Sequence, residues 1–323
     1  MKRYWTTSIV GGAAIAALIC SMSTAPAFAE DSGETTNAID AIREIAPEVL
    51  ESTAELRNSS EDENVAATAG LQHSTTVDLP GPGQNVISFK DGSDSMFEVE
   101  IPTSEKTTLE KFGDQPGYNN NDGSTTVPVI KSDGSVQITT VLSDASAPSK
   151  FEYKFELPVG ARLVLNELDG SVTIEGADGD FLGGILPPWA KDANGTNVET
   201  SYKVSGDTLT QLVILDGSET FPVVADPWLG ISLIERVVKT KDPKGFRYMV
   251  YPTPWGRAGA GAAARWAAWG EAAEKGVPRT ATLQNQFLCH YDVRPVTSLK
   301  SSWNLEAYTR DKGYAGFVRN SCN

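Results

Sequence analysis

The residues of this chain that can do chemistry gather near its end: Arg257, Glu271, His290, Asn304 and Glu306. A histidine and a carboxylate on neighbouring elements can act as general base and orienter. An arginine near a helix start can hold a phosphate or carboxylate. His290 to Arg294 and Ser302 to Glu306 read as strands. If the two strands pair, His290 and Glu306 meet, with Arg257 as the anion holder. That set suits hydrolysis of a phosphodiester or capture of an anionic glycan. The plainer arrangement, preferred on spacing alone, makes Arg257 and Glu271 or Glu306 a structural ion pair and has His290 hydrogen-bond a loop. No nucleophile stands out. One histidine without an acidic triplet is a poor metal site, so no metal and no cofactor are expected.

A binding surface is the other chemistry on offer. Trp255, Trp266, Trp269 and Trp303 with Arg257 and Arg265 form an aromatic and basic set suited to sugars or anionic polymers. Trp266 and Trp269, with Ala273, recur at helical spacing and read mostly as core. Trp255, beside Gly256, is the best candidate for exposure. The candidate binding residues are therefore Trp255, Arg257, Arg265, Trp303 and Asn304.

The elements that must position these groups form a small α+β domain over 228–323. Ile231 to Lys239 reads as a strand, Asp242-Pro243-Lys244-Gly245 as a turn and Phe246 to Tyr251 as the returning strand. Thr253-Pro254 breaks the sheet. Ala258 to Lys275 reads as a helix stopped by Gly276 and Pro278. Thr280 can cap a second helix carrying Leu283 and Phe287, and Tyr314, Phe317 and Val318 form a last short helical face. Cys289 and Cys322 are expected to form a disulfide, closing a loop of about 34 residues worth roughly 3–4 kcal/mol in the chain-entropy model. The alternative, a nucleophilic thiol at Cys289 beside His290, is disfavoured because adjacent residues seldom aim at each other.

Upstream, Lys2 and Arg3 precede the apolar run Ile9 to Ile19, which ends at Ala27-Phe28-Ala29. Residues 1–29 therefore read as a secretory signal peptide, with Cys20 discarded in it and Glu30 near the mature start. No second apolar run of spanning length follows, so no transmembrane segment is expected in the mature chain. Residues 30–83 read as an acidic leader, partly helical or disordered. Ile39, Ile42, Ile45, Val49 and Leu56 recur at helical spacing, Thr36 or Asn37 would cap the start, and Pro47 should end the helix near Ala46. The preferred reading is a marginal helix in a disordered leader. Pro80-Gly81-Pro82-Gly83 marks the entry to residues 84–227, a β-rich carrier of alternating apolar and polar residues. Asp-Gly pairs at 91–92, 122–123, 133–134, 169–170, 178–179 and 216–217 supply its turns. The fold class expected is an antiparallel sandwich or barrel followed by the small disulfide-pinned α+β domain.

Net charge is −15 and unevenly spread: −9 over 30–71, −15 over 72–227 and +7 over 228–323. A basic end on an acidic chain implies that the two parts touch or that the basic end meets an acidic partner. The bland alternative is an acidic carrier with an ordinary mixed surface at its end.

Two resemblances bear on this. Pro188-Trp189-Ala190, Asp192-Ala193-Asn194-Gly195, Tyr202 and the closing Pro222 to Pro227 loosely resemble a β-rich region recurring in exported actinobacterial proteins. That implies a carrier joined to varied C-terminal modules. The series Pro252-Thr253, Gly256-Arg257, Trp269 with Glu271, Gln286 with Cys289-His290, Trp303 to Glu306, and Cys322-Asn323 resembles the domain of unknown function numbered 2599. That family occurs in exported actinobacterial proteins, including mycobacterial ones. The resemblance implies location and boundaries, not chemistry.

The expectation is a secreted, non-enzymatic cell-envelope protein. Its basic module would bind an anionic polymer, lipid or protein of the envelope. The alternative is a secreted hydrolase, a nuclease or toxin-like effector, using His290, Glu306 and Arg257; only then is nucleic acid a partner. A third arrangement has the acidic leader mask the basic module until it is cut away. Oligomeric state is not readable.

Overall fold

Period-two alternation builds most of this chain. The computed structural model describes residues 33–58, 62–70, 75–258, 262–293 and 300–323. The expected signal segment lies outside them. Two open antiparallel sheets carry the middle of the molecule. The first runs in the order β1 (Arg57–Asn58), β2 (Val65–Gly70), β3 (Thr75–Pro80), β4 (Val86–Asp91), β5 (Asp94–Glu100), β10 (Lys150–Glu156), β16 (Thr208–Val213) and β15 (Thr200–Ser205). The second runs β11 (Arg162–Leu165), β12 (Val172–Glu175), β13 (Phe181–Ile185), β18 (Trp228–Gly230), β9 (Val136–Leu142), β8 (Ser124–Ile130), β7 (Gln115–Asn119) and β6 (Thr108–Phe112). β17 (Val223–Asp226) also pairs with β9, and β14 (Trp189–Lys191) pairs with β17.

Phe89, Phe97, Phe151 and Tyr153 from the first sheet share one core with Ile138, Ile174, Ile185 and Leu229 from the second. The fold is thus a sandwich rather than a closed barrel. The turn chemistry is local. The glycine of every Asp-Gly pair has positive φ, the conformation such turns demand. At Asp122, Asp133 and Asp169 one carboxylate oxygen accepts from both the backbone N–H and the hydroxyl of the serine two residues on, the hydroxyl bond being 2.6 Å in each.

The acidic leader departs from expectation. Helix α1 (Gly33–Ile45) and a 3-10 turn (Pro47–Leu50) are packed, not disordered. Ala38, Ile42, Ile45 and Val49 meet Val127, Val129, Val141 and Val224 on the outer face of the second sheet. This explains why every residue of β8 and β9 is buried while β10 alternates strictly: the second sheet is covered on both faces there. Pro47 ends the helix as expected, but the helix extends upstream of Thr36. β1–β3 belong to the first sheet, so the strand-rich body begins near residue 57 and not at 84. Lys131, only 2 % exposed, fastens the leader. Its ammonium donates to the carbonyls of Glu48 (3.2 Å), Val49 and Glu51 (3.1 Å). Burial lowers its pKa to about 8 against the pull of nearby acids such as Asp133 and Asp226. The leader therefore lies on β6–β9 and β17, which removes the idea that it masks the basic module.

The boundary at 227/228 also moves. β18 lies between β13 and β9, so Trp228 to Gly230 are part of the sandwich. Pro227 does not stop pairing because the strand resumes directly after it. The small α+β region follows: β19 (Ile234–Asp242), β20 (Gly245–Pro252), helices α2 (Pro254–Ala258), α3 (Ala262–Glu274) and α4 (Ala281–Asp292), then β21 (Trp303–Glu306) and α5 (Gly313–Arg319). Its sheet has the order β19-β20-β21, all antiparallel. One face packs Tyr248, Val250, Trp303 and Leu305 against Trp269, Leu283 and Phe287. Thr280 caps α4 by accepting from the N–H of Leu283 at 3.3 Å. The Cys289–Cys322 disulfide joins α4 to the chain end, with Phe317 of α5 packed on it.

Candidate functional site

His290 does not lie on a strand. It sits in the last turn of α4, because Leu283, Gln286, Phe287 and His290 continue one helical face past the point where His-Tyr-Asp-Val suggests β structure. The ring is 1 % exposed. Burial pushes its pKa from 6.5 down to about 4, helped by the Lys300 charge and opposed by hydrogen bonds with the Asn304 backbone and the Asn323 side chain. A base this weak, enclosed this fully, is poorly matched to proton abstraction near neutrality.

Glu306 is on β21, but its carboxylate is engaged elsewhere. It accepts from Arg247 Nη2 at 3.5 Å and from Thr309 Oγ1 at 3.1 Å. Gln286, one turn before His290, clamps the Glu306 backbone: its Oε1 accepts from Glu306 N–H at 2.8 Å and its Nε2 donates to Glu306 O at 3.1 Å. Arg257, in α2, donates to the carbonyls of Lys300 (2.6 Å) and Ser301. Its fork thus ties down the chain leading into β21 rather than facing a ligand. Glu271, on α3, forms no ion pair with Arg257. It accepts from the N–H groups of Leu233 (3.0 Å) and Ile234 (2.9 Å) and from Ser232 Oγ (3.3 Å). Burial raises its pKa, while the two backbone N–H groups and Lys275 pull it back. It is a side-chain anchor for the start of β19.

The candidate binding residues divide. Trp255 is 0 % exposed, which corrects the expectation of exposure. Its indole N–H donates to Trp228 O at 3.3 Å, and its ring lies over Gly230 and Gly184. Trp303 is buried edge-on to Phe287 and Tyr291. Asn304 is half-buried, and its Oδ1 accepts from Ser302 Oγ at 3.2 Å. Trp269 is core, but Trp266 is 54 % exposed. Arg265 pairs with Asp292 at 2.8 Å and stacks between Trp266 and Tyr314 at 5.4 and 5.3 Å.

His290, Glu306 and Arg257 are therefore each engaged in a separate structural contact. Grooves of 350 to 660 Å³ among the described residues are lined by the sandwich and α1 rather than by these three residues. Among the described residues no group of three or more His, Cys, Asp or Glu is placed to hold a metal ion.

Sequence reasoning missed the β19–β20 hairpin as a chemical surface. Lys239 and Lys241 pair across the strands with Tyr248 and Phe246, and Lys239 Nζ lies 4.2 Å from the Phe246 ring centre. The signal was available. Taking Asp242 to Gly245 as a four-residue turn, period two puts both lysines on the face of Phe246 and Tyr248.

Residues 234–323 match the family described as "Protein of unknown function (DUF2599)". The match begins at the first residue of β19, after the sandwich strand β18, and runs through the disulfide to the end of the chain. Comparison with curated proteins finds no match.

The neutral state of His290 predicts a pH effect. Its folded pKa is depressed, so the unfolded chain takes up a proton first as pH falls. The stability His290 contributes is intact above 6.5 and declines toward 4. The loss should reach about 3 kcal/mol at the lower end. Urea midpoints followed from pH 7 to 4 should fall for the natural chain and fall less steeply for His290→Gln. Identical slopes would show that His290 titrates alike in both states.

Proposed function

We propose that this chain is an exported, non-enzymatic protein that holds to an anionic surface of the cell envelope through its basic C-terminal region. Lys239, Lys241 and Lys244 carry this reading. They are exposed, fall within one hairpin and have no acidic partner among the described residues. Arg247, Arg257 and Arg265, by contrast, are engaged within the fold. Three unpaired cations on an otherwise acidic chain favour an anionic partner. A disulfide in so small a region, and the absence of any described helix long and apolar enough to cross a membrane, accord with export in released form.

The test is co-sedimentation with purified cell envelopes at low and high salt. It uses the compact unit 32–323 rather than an isolated C-terminal fragment, which would expose Trp255. Binding should be strong at low salt, weak at high salt and unchanged by His290→Ala. Absence of binding at low salt, or binding indifferent to salt, overturns the reading.

A further inference from the structure

Resting on that reading, we infer that the tip of the β19–β20 hairpin is a docking surface for an anionic lipid bilayer. β21 pairs with Arg247 to Val250, and the chain after it still holds the hairpin base, with Ala307 N–H donating to Phe246 O at 3.0 Å and Tyr308 Oη donating to Asp242 at 3.2 Å. Even so, Phe246 is 44 % exposed. Lys239 and Lys241 stand over its ring, at 4.2 and 5.7 Å from Nζ to the ring centre, and Lys244 is exposed in the turn. The acids of the hairpin do not offset these charges, because Asp242 pairs with Arg247 and Glu235 with Arg236.

Charge complementarity calls for an anionic partner, and the exposed ring selects among anionic partners. A soluble polyanion would engage the ammonium groups and gain nothing from an uncovered phenyl ring. A bilayer interface takes both, because aromatic rings settle at headgroup depth while lysines reach headgroup phosphates. The lysines act only within about one Debye length, roughly 8 Å at physiological salt. The exposed side chains of Lys239, Lys241 and Lys244 can come that close to a surface.

The experiment is partition of the 32–323 unit onto vesicles of phosphatidylglycerol and phosphatidylcholine, beside vesicles of phosphatidylcholine alone. The natural chain should bind only the anionic vesicles. Each lysine near such a surface contributes about fivefold, so K239Q/K241Q/K244Q should weaken partition on the order of a hundredfold. Phe246→Ser should weaken it several-fold and leave binding to soluble polyphosphate unchanged. These side chains are exposed, so melting curves of all variants should overlay that of the natural chain. Equal partition of the triple variant, or of Phe246→Ser, overturns the inference. If anionic vesicles are not bound but cell envelopes still are, in a lysine-dependent way, the lipid inference fails while the envelope reading stands. Salt-sensitive self-association through the same lysines, without vesicle binding, also overturns it and assigns the tip to the acidic sandwich of a second copy.

Discussion

Replacing both Cys289 and Cys322 by alanine should lower the unfolding free energy by about 4 kcal/mol. The 33-residue separation gives that magnitude in the loop-closure model. Packing should add to it rather than relieve it. Both cysteines are essentially buried, and Phe317 lies in the same small cluster with Val293 packed against it. The bond fixes α5 and the chain end to the last turn of α4, where His290 also meets the Asn323 side chain. Reduction would leave the terminus to non-covalent ties, such as Tyr314 Oη donating to Asp292 at 2.6 Å and Lys312 Nζ donating to Asn323 O at 2.9 Å. The measurement is a thermal melt of the natural chain with and without reductant, beside the double alanine variant. The reduced and substituted proteins should melt together, well below the oxidised one. Coincident melting of oxidised and reduced protein would show that the bond contributes nothing to stability.

How far the amino-acid order foretells this structure depends on whether each signal is local. Strand alternation at Phe151, Tyr153 and Phe155 and the Asp-Gly turns are local, and both are realised as read. The partner of the leader is not local. Ile39, Ile42, Ile45 and Val49 announce an amphipathic helix, yet nothing near them tells what covers it. The clue lies far downstream in Val127-Pro128-Val129-Ile130, which lacks the alternation of a half-solvated strand. His290 misleads because Tyr291 and Val293 favour strands locally, while the helix is set by tertiary packing of Leu283 and Phe287. The candidate site fails for a similar reason. Residue type offers an acid, a base and an arginine, but each is taken up by a backbone group or an ion pair that spacing cannot reveal. The hairpin lysines are readable from period two, since Lys239 and Lys241 fall opposite Tyr248 and Phe246 on one face.

Trp255 marks the deepest difference, and it supplies the second large effect. Beside Gly256 it reads as an exposed loop residue, whereas it is the bolt between the α+β region and the sandwich. Its ring fills space left by two strand glycines. A Cβ at Gly230 would stand 2.3 Å from Trp255 Cδ2, and one at Gly184 would stand 3.4 Å from Cζ2. Gly256 is required as well, because a Cβ there would meet Leu233 O at 2.1 Å. Phe181 flanks the ring at 6.0 Å between centres, and Asp133 Oδ2 accepts from the Trp255 backbone N–H at 3.3 Å. Trp255→Ala should therefore cost about 3–5 kcal/mol. Gly230→Ala should cost about 1–3 kcal/mol or more, since β18 is held between β13 and β9 and cannot retreat. The two changes should not add. With the indole gone, the methyl at 230 occupies vacated space, so the double variant should be about as stable as Trp255→Ala alone, or more so. Urea unfolding of the four proteins measures this coupling. Strict additivity would mean that the ring does not rest on Gly230, and the joint between the two parts would have to be sought elsewhere.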